Sequence, residues 1–441
     1  MNPWFAKQIV YRSIGIVRRE AVLKRLREIR ALPFVSREEI GRLQQEKLAR
    51  VLQHANASIG YYRDLFARNG IDVEMCRWPD DLGRIPLLRK QTLQEIGESL
   101  QPAGPSRRVS MESTSGTLGA PLVLAIDRHK SAFIRAVMFR NYGWYGIDVG
   151  DRQARFWGMP AGARLHYREE LKDLLANRIR LSAFAVDEAA FHRFAAALRN
   201  FRPRYFYGYP SLLFRFASWV SDNRVDTGCS GLAAIITSGE LLHDFQRRAI
   251  SEAFHCPVVN EYGTTETGII AFECAQGMLH INSDHLYVEC LESEPFAGQG
   301  NLVITELNNL YNPLIRYQLG DLGAISEEEC SCGCAFPVLK ALSGREGNFI
   351  TTPSGRQVFS AVLSYTFKEG VRQFQGIQRR RDELIVRIVR EEGLSDALAD
   401  HYKESLARTL GDGIKVTFEF VPRIEPEKSG KLRYFISDLT E

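Results

Sequence analysis

Between Ser110 and Pro337 short apolar runs alternate with helical stretches, and that alternation constrains the fold more than any other feature. Leu122–Ile126, Ala233–Thr237, Val258–Glu261 and Leu302–Thr305 have strand length and strand composition. Phe191–Phe201 and Phe245–Phe254 read as helices between them. Strands and helices taken in turn bury their apolar faces best as stacked layers, so the pattern predicts a layered α/β architecture. Upstream, residues 36–69 read as helix, with Ser36 as cap, Glu38 and Glu39 in the first turn, and Ile40, Leu43, Leu48, Val51 and Leu52 near helical spacing.

After about Ser343 the grain changes. Leu384–Val389 reads as a strand, Leu394, Leu398, Tyr402, Leu406 and Leu410 as a helix stripe. Ile414, Val416, Phe418 and Phe420 alternate with polar residues as a half-buried strand does. The expectation is a large layered α/β domain over residues 1–343 and a small α+β domain over 344–441. A chain of 441 residues suits two or three such units.

Composition excludes several classes. Hydrophobic residues make up 45% and charged residues 25%, which argues against a disordered or collagen-like chain. A net charge of +4 is too balanced for a protein that coats nucleic acid, and no nucleic-acid partner is expected. Residues 1–31 stand apart: eight basic side chains face only Glu20 and Glu28. With Trp4, Phe5, Ile9, Val10 and Ile14 as an apolar strip, this segment suits a solvated helix over the main body, or weak attachment to an anionic membrane face or a partner. Arg12, Arg18 and Arg19 interrupt any signal-peptide core, and no apolar run is long enough to span a bilayer. A cytoplasmic location, at the membrane face in the second case, is the expectation, with the eight cysteines as thiols or metal ligands.

Five motifs follow in order. Thr114-Ser115-Gly116-Thr117-Leu118-Gly119-Ala120-Pro121 sets hydroxyls beside bare backbone N–H groups, a nest that attracts phosphate, although many such loops are plain turns. Ser238-Gly239-Glu240 and Glu261-Tyr262-Gly263-Thr264-Thr265-Glu266 each involve the end of an apolar strand. Arg316-Tyr317-Gln318-Leu319-Gly320-Asp321 precedes Gly344-Arg345, and Ser429-Gly430-Lys431 lies near the end. Singly, an aspartate is often a cap and a lysine a surface residue.

As a series, these motifs resemble the adenylate-forming superfamily of acyl-CoA synthetases, acyl-AMP ligases and luciferase-type enzymes. They are most similar to its phenylacetate–CoA ligase-like branch, which includes CapK-type capsular-polysaccharide proteins. His54-Ala55, Tyr61-Tyr62-Arg63, Leu82 and Ile85-Pro86 extend the resemblance over almost the whole chain. It implies that Thr114, Ser115, Gly116, Thr117 and Gly119 cover the ATP phosphates, and that Gly239, Glu240, Tyr262 and Gly263 border the nucleotide. It implies Thr265 at the α-phosphate, Glu266 on magnesium, Asp321 on the ribose hydroxyls and Arg345 on the ribose or phosphate side. Lys431 would be the mobile cation of the first half-reaction, and Tyr209, Pro210 and Ser211 would border the acyl pocket. The implied reaction joins a small carboxylic acid to AMP with release of pyrophosphate, after which the small domain rotates and coenzyme A takes the acyl group. An amine or hydroxyl acceptor in polysaccharide or secondary-metabolite biosynthesis is the alternative; a nucleotide-binding scaffold without catalysis is a third reading, and a homodimer a further expectation. Two departures stand out: Leu118 replaces a usual hydroxyl residue, and Gly347 replaces a usual hinge aspartate.

Chemistry agrees with these roles. A carboxylate approaching phosphate brings anion to anion, so cations and N–H donors must offset repulsion. Magnesium takes oxygen ligands, few of them from protein. A separate cluster, Cys330-Ser331-Cys332-Gly333-Cys334 with Cys274 and His280 upstream, offers soft and borderline donors. Cys274, His280, Cys330 and Cys332 suit a closed tetrahedral zinc site, with Cys334 as reserve, and unliganded thiols as the alternative. Cys76, Cys229, Cys256 and Cys290 read as small core residues. Aromatic residues gather at Trp144-Tyr145, Phe156-Trp157 and Tyr205–Tyr209, where they suit either core packing or the walls of a pocket for a flat or short apolar acid.

Overall fold

The computed structural model describes all residues except 19, 103–108, 114–121, 159–162, 184–186, 293–298, 346–348, 356, 360–362, 364–365, 368–369, 392, 412, 426–431, 438 and 440–441. At 17–18, 98, 113, 163–166, 168, 343–345, 349, 357 and 359 it describes backbone alone.

The N-terminal helices show how local chemistry seats the chain. Ser36 and Glu39 form a capping box: the Glu39 N–H donates to Ser36 Oγ at 3.2 Å, and the Ser36 N–H donates to Glu39 Oε2 at 3.0 Å. The helix expected over 36–69 is two helices, Arg37–Ser58 and Gly60–Arg68. Ile59 between them is extended and fully buried, so burying its side chain bends the path. The bend carries Tyr62 inward, where its hydroxyl donates to Pro313 O at 2.6 Å.

Strands β1 (Val109–Ser113) and β2 (Val123–Asp127) pair antiparallel as a sheet of their own. The main sheet has eleven strands among the described residues: β3 (Gln153–Trp157), β4 (Arg178–Ser182), β5 (Tyr205–Gly208), β6 (Ala234–Ser238), β7 (Val258–Thr264), β8 (Gly268–Glu273), β9 (Leu279–Ile281), β10 (Leu286–Glu292), β11 (Gly300–Glu306), β12 (Tyr317–Ser326) and β13 (Val338–Arg345). Their spatial order is β10-β11-β12-β13-β9-β8-β7-β6-β5-β3-β4. From β4 to β7 the neighbours run parallel, and from β7 onward they are antiparallel. Side-chain alternation sorts the parallel half into two faces. Ala154, Phe156, Phe206, Ile235 and Val258 pack on helices Glu188–Phe201, Pro210–Asp222 and Asp244–Phe254. Tyr205, Ala234, Ile236 and Val259 face Tyr142 at the end of helix Arg128–Tyr142.

The small domain begins with the hairpin β14 (Phe349–Thr351) and β15 (Gln357–Phe359). Its sheet follows the order β18-β17-β16-β19, from β16 (Val371–Arg380), β17 (Glu383–Arg390), β18 (Lys415–Phe420) and β19 (Phe435–Ser437). Helix Asp396–Leu410 covers it with Ala399, Tyr402, Leu406 and Leu410, starting after the Ser395 cap. Leu394 precedes that helix. Phe420, expected half-buried, is exposed, and the Arg390 guanidinium covers its ring at 3.8 Å. The architecture is therefore a large layered α/β domain joined to a small α+β domain.

The two domains touch through a few polar and aromatic contacts. Gln246 Nε2 donates to the Tyr434 hydroxyl at 2.5 Å, the His243 ring meets Tyr434 edge-on at 4.6 Å, and Arg372 pairs with Asp222 at 2.8 Å. The Leu432 N–H donates to Glu240 Oε1 at 3.0 Å.

Candidate active site

The carboxyl ends of parallel strands are where open α/β sheets receive ligands, and Gly239, Glu240, Tyr262 and Glu266 lie at or just beyond the ends of β6 and β7. Gly239 follows β6 with φ +83, and a Cβ on it would stand 3.1 Å from the Tyr209 ring and 3.3 Å from Trp157. Only glycine fits that turn without displacing the rings. Glu240 beside it accepts from the Ser211 N–H and hydroxyl, both at 3.0 Å, as well as from Leu432. The Gly239–Glu240 turn, Tyr209, Ser211 and the residue after Lys431 thus share one place. Pro210 opens the helix between Tyr209 and Ser211 as its first residue.

The hairpin joining β7 to β8 carries Tyr262, Gly263, Thr265 and Glu266. Tyr262 donates to Asp321 Oδ2 at 2.6 Å, and the β12–β13 register sets Arg345 opposite Asp321. Thr265 is exposed at the turn and Glu266 is buried beside it. The Tyr317 hydroxyl stands 3.5 Å from Glu266 Oε1. Lys130, fully buried, holds the turn in place by donating to Glu266 O at 2.7 Å and pairing with Glu306 at 2.8 Å. Its charge is thereby committed elsewhere, and among the described residues no Lys or Arg pairs with the Glu266 carboxylate. A buried carboxylate left without a cation fits a magnesium ligand.

Thr114, Ser115, Gly116, Thr117 and Gly119 lie outside the described residues, as do Leu118, Gly347 and Lys431. Arg316, part of a motif, acts as a strut: its guanidinium grips Glu289 through two bonds of 3.1 and 2.9 Å and the carbonyls of Gly83 and Ile85 at 2.9 and 2.6 Å.

Three rings stack beside the Gly239 turn. Trp157 stacks on Tyr209 at 4.1 Å and on Tyr207 at 5.4 Å; Tyr209 also shares a core cluster with Phe156 and Phe206, and Trp157 packs against that cluster. Behind them lies Glu261, whose Oε1 accepts from the Tyr207 hydroxyl at 3.1 Å. Burial pushes its carboxyl up to about 7, partly offset by nearby hydroxyls and the Arg155 charge. Lys130, Arg155 and Glu306 were not singled out from the sequence; each is an isolated residue whose partner is far away in the chain.

The thiol cluster assembles from three segments. One donor atom from each of Cys274, His280, Cys330 and Cys332 lies within 4.8 Å of the others. Cys274 Sγ is 3.7 Å from Cys330 Sγ, close to the ~3.8 Å edge of a tetrahedron with zinc–sulfur bonds of about 2.3 Å. His280 Nδ1 donates to Phe336 O at 2.9 Å, which turns the unprotonated Nε2 toward Cys332 Sγ at 3.3 Å. The donor set fits zinc. Cys334 is not among the four; its side chain packs with Ile40 and Phe336, while its N–H donates to Cys332 Sγ at 3.4 Å. Cys229 and Cys256 are buried; Cys76 and Cys290 are only partly so.

Known proteins match this arrangement. Residues 345–438 match the CapK C-terminal domain. Protein CapK of Staphylococcus aureus is 22% identical over 95% of this chain and 92% of its own length. The phenylacetate-coenzyme A ligase of Thermus thermophilus is 26% identical over 92% of this chain and 97% of its own. A 2-hydroxyisobutyryl-CoA ligase in its postadenylation state, with an acyl-AMP bound, overlays with TM-score 0.72 at 21% identity, covering 90% of this chain and 88% of that one. This is the adenylate-forming fold, and its C-terminal residues 345–438 are similar to the CapK C-terminal domain. The resemblance drawn from the ordered motifs is borne out. Within the adenylate-forming fold the domain arrangement matters: the same ligase in its thioesterification state overlays at only 0.60, covering 92% and 91% of the chains.

Proposed function

We propose that the chain is a ligase that activates a carboxylic acid as acyl-AMP, releases pyrophosphate from ATP, and transfers the acyl group to coenzyme A. The observation that carries this reading is the Leu432–Glu240 bond, which brings the neighbour of Lys431 into the crevice that holds Gly239 and Tyr209. Similarity to the Thermus phenylacetate-coenzyme A ligase over nearly its whole length supports the same chemistry.

The residues divide the work. Asp321, fixed by the Tyr262 hydroxyl, offers acceptor oxygens to the ribose hydroxyls, and Arg345 serves the same end of the nucleotide. Thr114, Ser115, Gly116, Thr117 and Gly119 cover the phosphates, and Thr265 contacts the α-phosphate. Glu266 holds magnesium, which supplies charge neutralisation as the two anions approach. Lys431 adds positive charge where the leaving group forms. The acid enters beside Tyr209, Pro210 and Ser211. Rotation of residues 344–441 about the segment near Arg345 then exchanges Lys431 for a surface that admits the thiol. Cys274, His280, Cys330 and Cys332 hold a structural zinc.

Pyrophosphate exchange across a library of carboxylic acids tests the reading: exchange that needs magnesium, and collapses in Lys431→Ala, is the expected result. Absence of exchange with every acid would refute it. A second reading hands the acyl group to an amine or hydroxyl; its support is the match of residues 345–438 to the CapK domain and the similarity to Protein CapK over 95% of the chain. Product analysis for thioester against amide or ester separates the two. Peripheral membrane contact has support in Trp4, Phe5, Ile9 and Ile16, all exposed on a basic N-terminal segment. No helix among the described residues is long and apolar enough to cross a membrane.

A further inference from the structure

Arg155 is the cation that the site described above does not use. It lies on β3, opposite Tyr207 of β5 on one side and Arg180 of β4 on the other. Its guanidinium sits 5.2 Å from the centres of both the Trp157 and Tyr207 rings, two of the three stacked beside the Gly239 turn. Arg180 next to it is fully engaged with Asp173, Glu169 and the Gly158 carbonyl, and Arg178 pairs with Asp173. Arg155 has no such partner among the described residues: no carboxylate lies within ion-pair distance, and its Nε is inaccessible to solvent and unbonded. Ring faces stabilise the positive charge but accept none of the five N–H donors in the manner of an oxyanion.

An unpaired guanidinium inside an aromatic wall costs free energy unless a ligand completes it. Arg178 and Arg180 disfavour the Arg155 charge further, because like charges stand beside it. Arg155 eases the charge on Glu261 behind Tyr207, but the two form no ion pair, and the guanidinium has no oxyanion partner among the described residues.

We propose that Arg155 receives an oxyanion of the substrate acid remote from the carboxylate that reacts, so that acids with a second anionic group are preferred. The inference rests on the ligase reading and deepens it by naming the substrate class. The reacting carboxylate is not the group that Arg155 meets. That carboxylate belongs near Thr265, beyond β7, and β3 is separated from β7 by β5 and β6. Three strand spacings amount to roughly 14 Å, a gap that a ring or short carbon skeleton, together with the arginine's own reach, spans. The stacked Trp157 and Tyr207 would line one side of that skeleton while the planar fork of Arg155 takes the far oxyanion through paired N–H bonds.

The test uses the full-length wild type and Arg155→Met with matched acids in the pyrophosphate-exchange assay. Benzoate is set against terephthalate, butyrate against glutarate, and 4-phosphonobenzoate distinguishes phosphonate from carboxylate as the second anion. The expected wild-type result is a kcat/KM for at least one doubly anionic acid at least about tenfold above its singly charged partner. In Arg155→Met that ratio falls to near unity, and in Arg155→Lys it is intermediate because the fork is lost. A wild type that favours the singly charged acid of every pair overturns the inference while leaving the ligase reading intact, and so does a ratio unchanged in Arg155→Met. A chain that exchanges pyrophosphate with no acid overturns both. The wild-type ratio needs no variant, so misfolding of Arg155→Met, detected by its melting curve, leaves that arm decisive.

Discussion

The Tyr262 hydroxyl donates to Asp321 Oδ2 across 2.6 Å, joining the β7–β8 hairpin to strand β12. The bond fixes the orientation of the carboxylate proposed above to meet the ribose hydroxyls. Tyr262→Phe should raise KM for ATP by roughly five- to tenfold with little change in kcat, the loss of one hydrogen bond to a charged group. Asp321→Ala should cost more. Steady-state kinetics with varied ATP checks both, and an unchanged KM in Asp321→Ala would remove the ribose assignment.

Glu266→Gln keeps the volume of the side chain and removes its charge. Adenylation should slow on the order of a hundredfold, and the magnesium concentration giving half-maximal rate should rise. A variant with wild-type magnesium dependence would show that the ion is held elsewhere.

Zinc analysis of protein washed with a mild chelator should return about one ion per chain. Cys332→Ser should lower that content and reduce Tm by at least about 5 °C, because a bound ion would tie the end of β8, β9 and the loop before β13 together. Protein that carries no zinc after growth in zinc-supplemented medium would leave four closely packed but unliganded side chains.

His243 sits between the domains, its ring accepting from the Gln246 N–H and lying against Tyr434. Burial lowers its pKa to about 4, below the ordinary 6.5. The exposed ring binds a proton more readily than the buried one, so this contribution to closure is complete above pH 6.5 and is lost as pH falls toward 4. At pH 5 the open arrangement should be more populated than at pH 7.5, by no more than the roughly thirtyfold that full exposure of the ring would give. Small-angle scattering or an interdomain fluorescence pair reports the shift, and His243→Phe should abolish its pH dependence.

If the exposed strip of Trp4, Phe5, Ile9 and Ile16 meets an anionic membrane, the chain should sediment with phosphatidylglycerol vesicles and not with phosphatidylcholine vesicles. Trp4→Ser with Phe5→Ser should weaken that binding at least about tenfold. Equal sedimentation of the variant and the wild type would assign attachment to some other surface.

Much of the fold was legible because its signals are local. Alternation marked the strands, and Ser36 with Glu39 marked a helix start. The break at Ile59 was not legible, since a buried isoleucine in extended backbone looks like one more apolar helical residue. Phe420 misled for a related reason: alternation gives the face but not whether anything covers it, and here Arg390 does. The same division holds for the site. Tyr262 with Glu266 and Cys330 with Cys332 announce themselves by spacing. Lys130 meets Glu306, and Arg155 meets Tyr207, only after the sheet has brought distant segments together. Cys334 shares the spacing of its neighbours, yet the chain turns it into the core beside Phe336.

The seat that Glu240 offers to Leu432 has a consequence for turnover. In the proposed rotation of the small domain Glu240 would keep both bonds from Ser211, so departure would leave no stranded charge behind. Among the described residues the other ties include a Tyr434–Gln246 bond, ring contacts of His243 with Tyr434 and Phe374 and of Phe245 with Phe374, and an exposed Arg372–Asp222 pair, each worth only about 1 kcal/mol or so in water. A latch of such short, separable parts opens and recloses without any large cooperative step, as an enzyme that must alternate between two postures in every cycle requires.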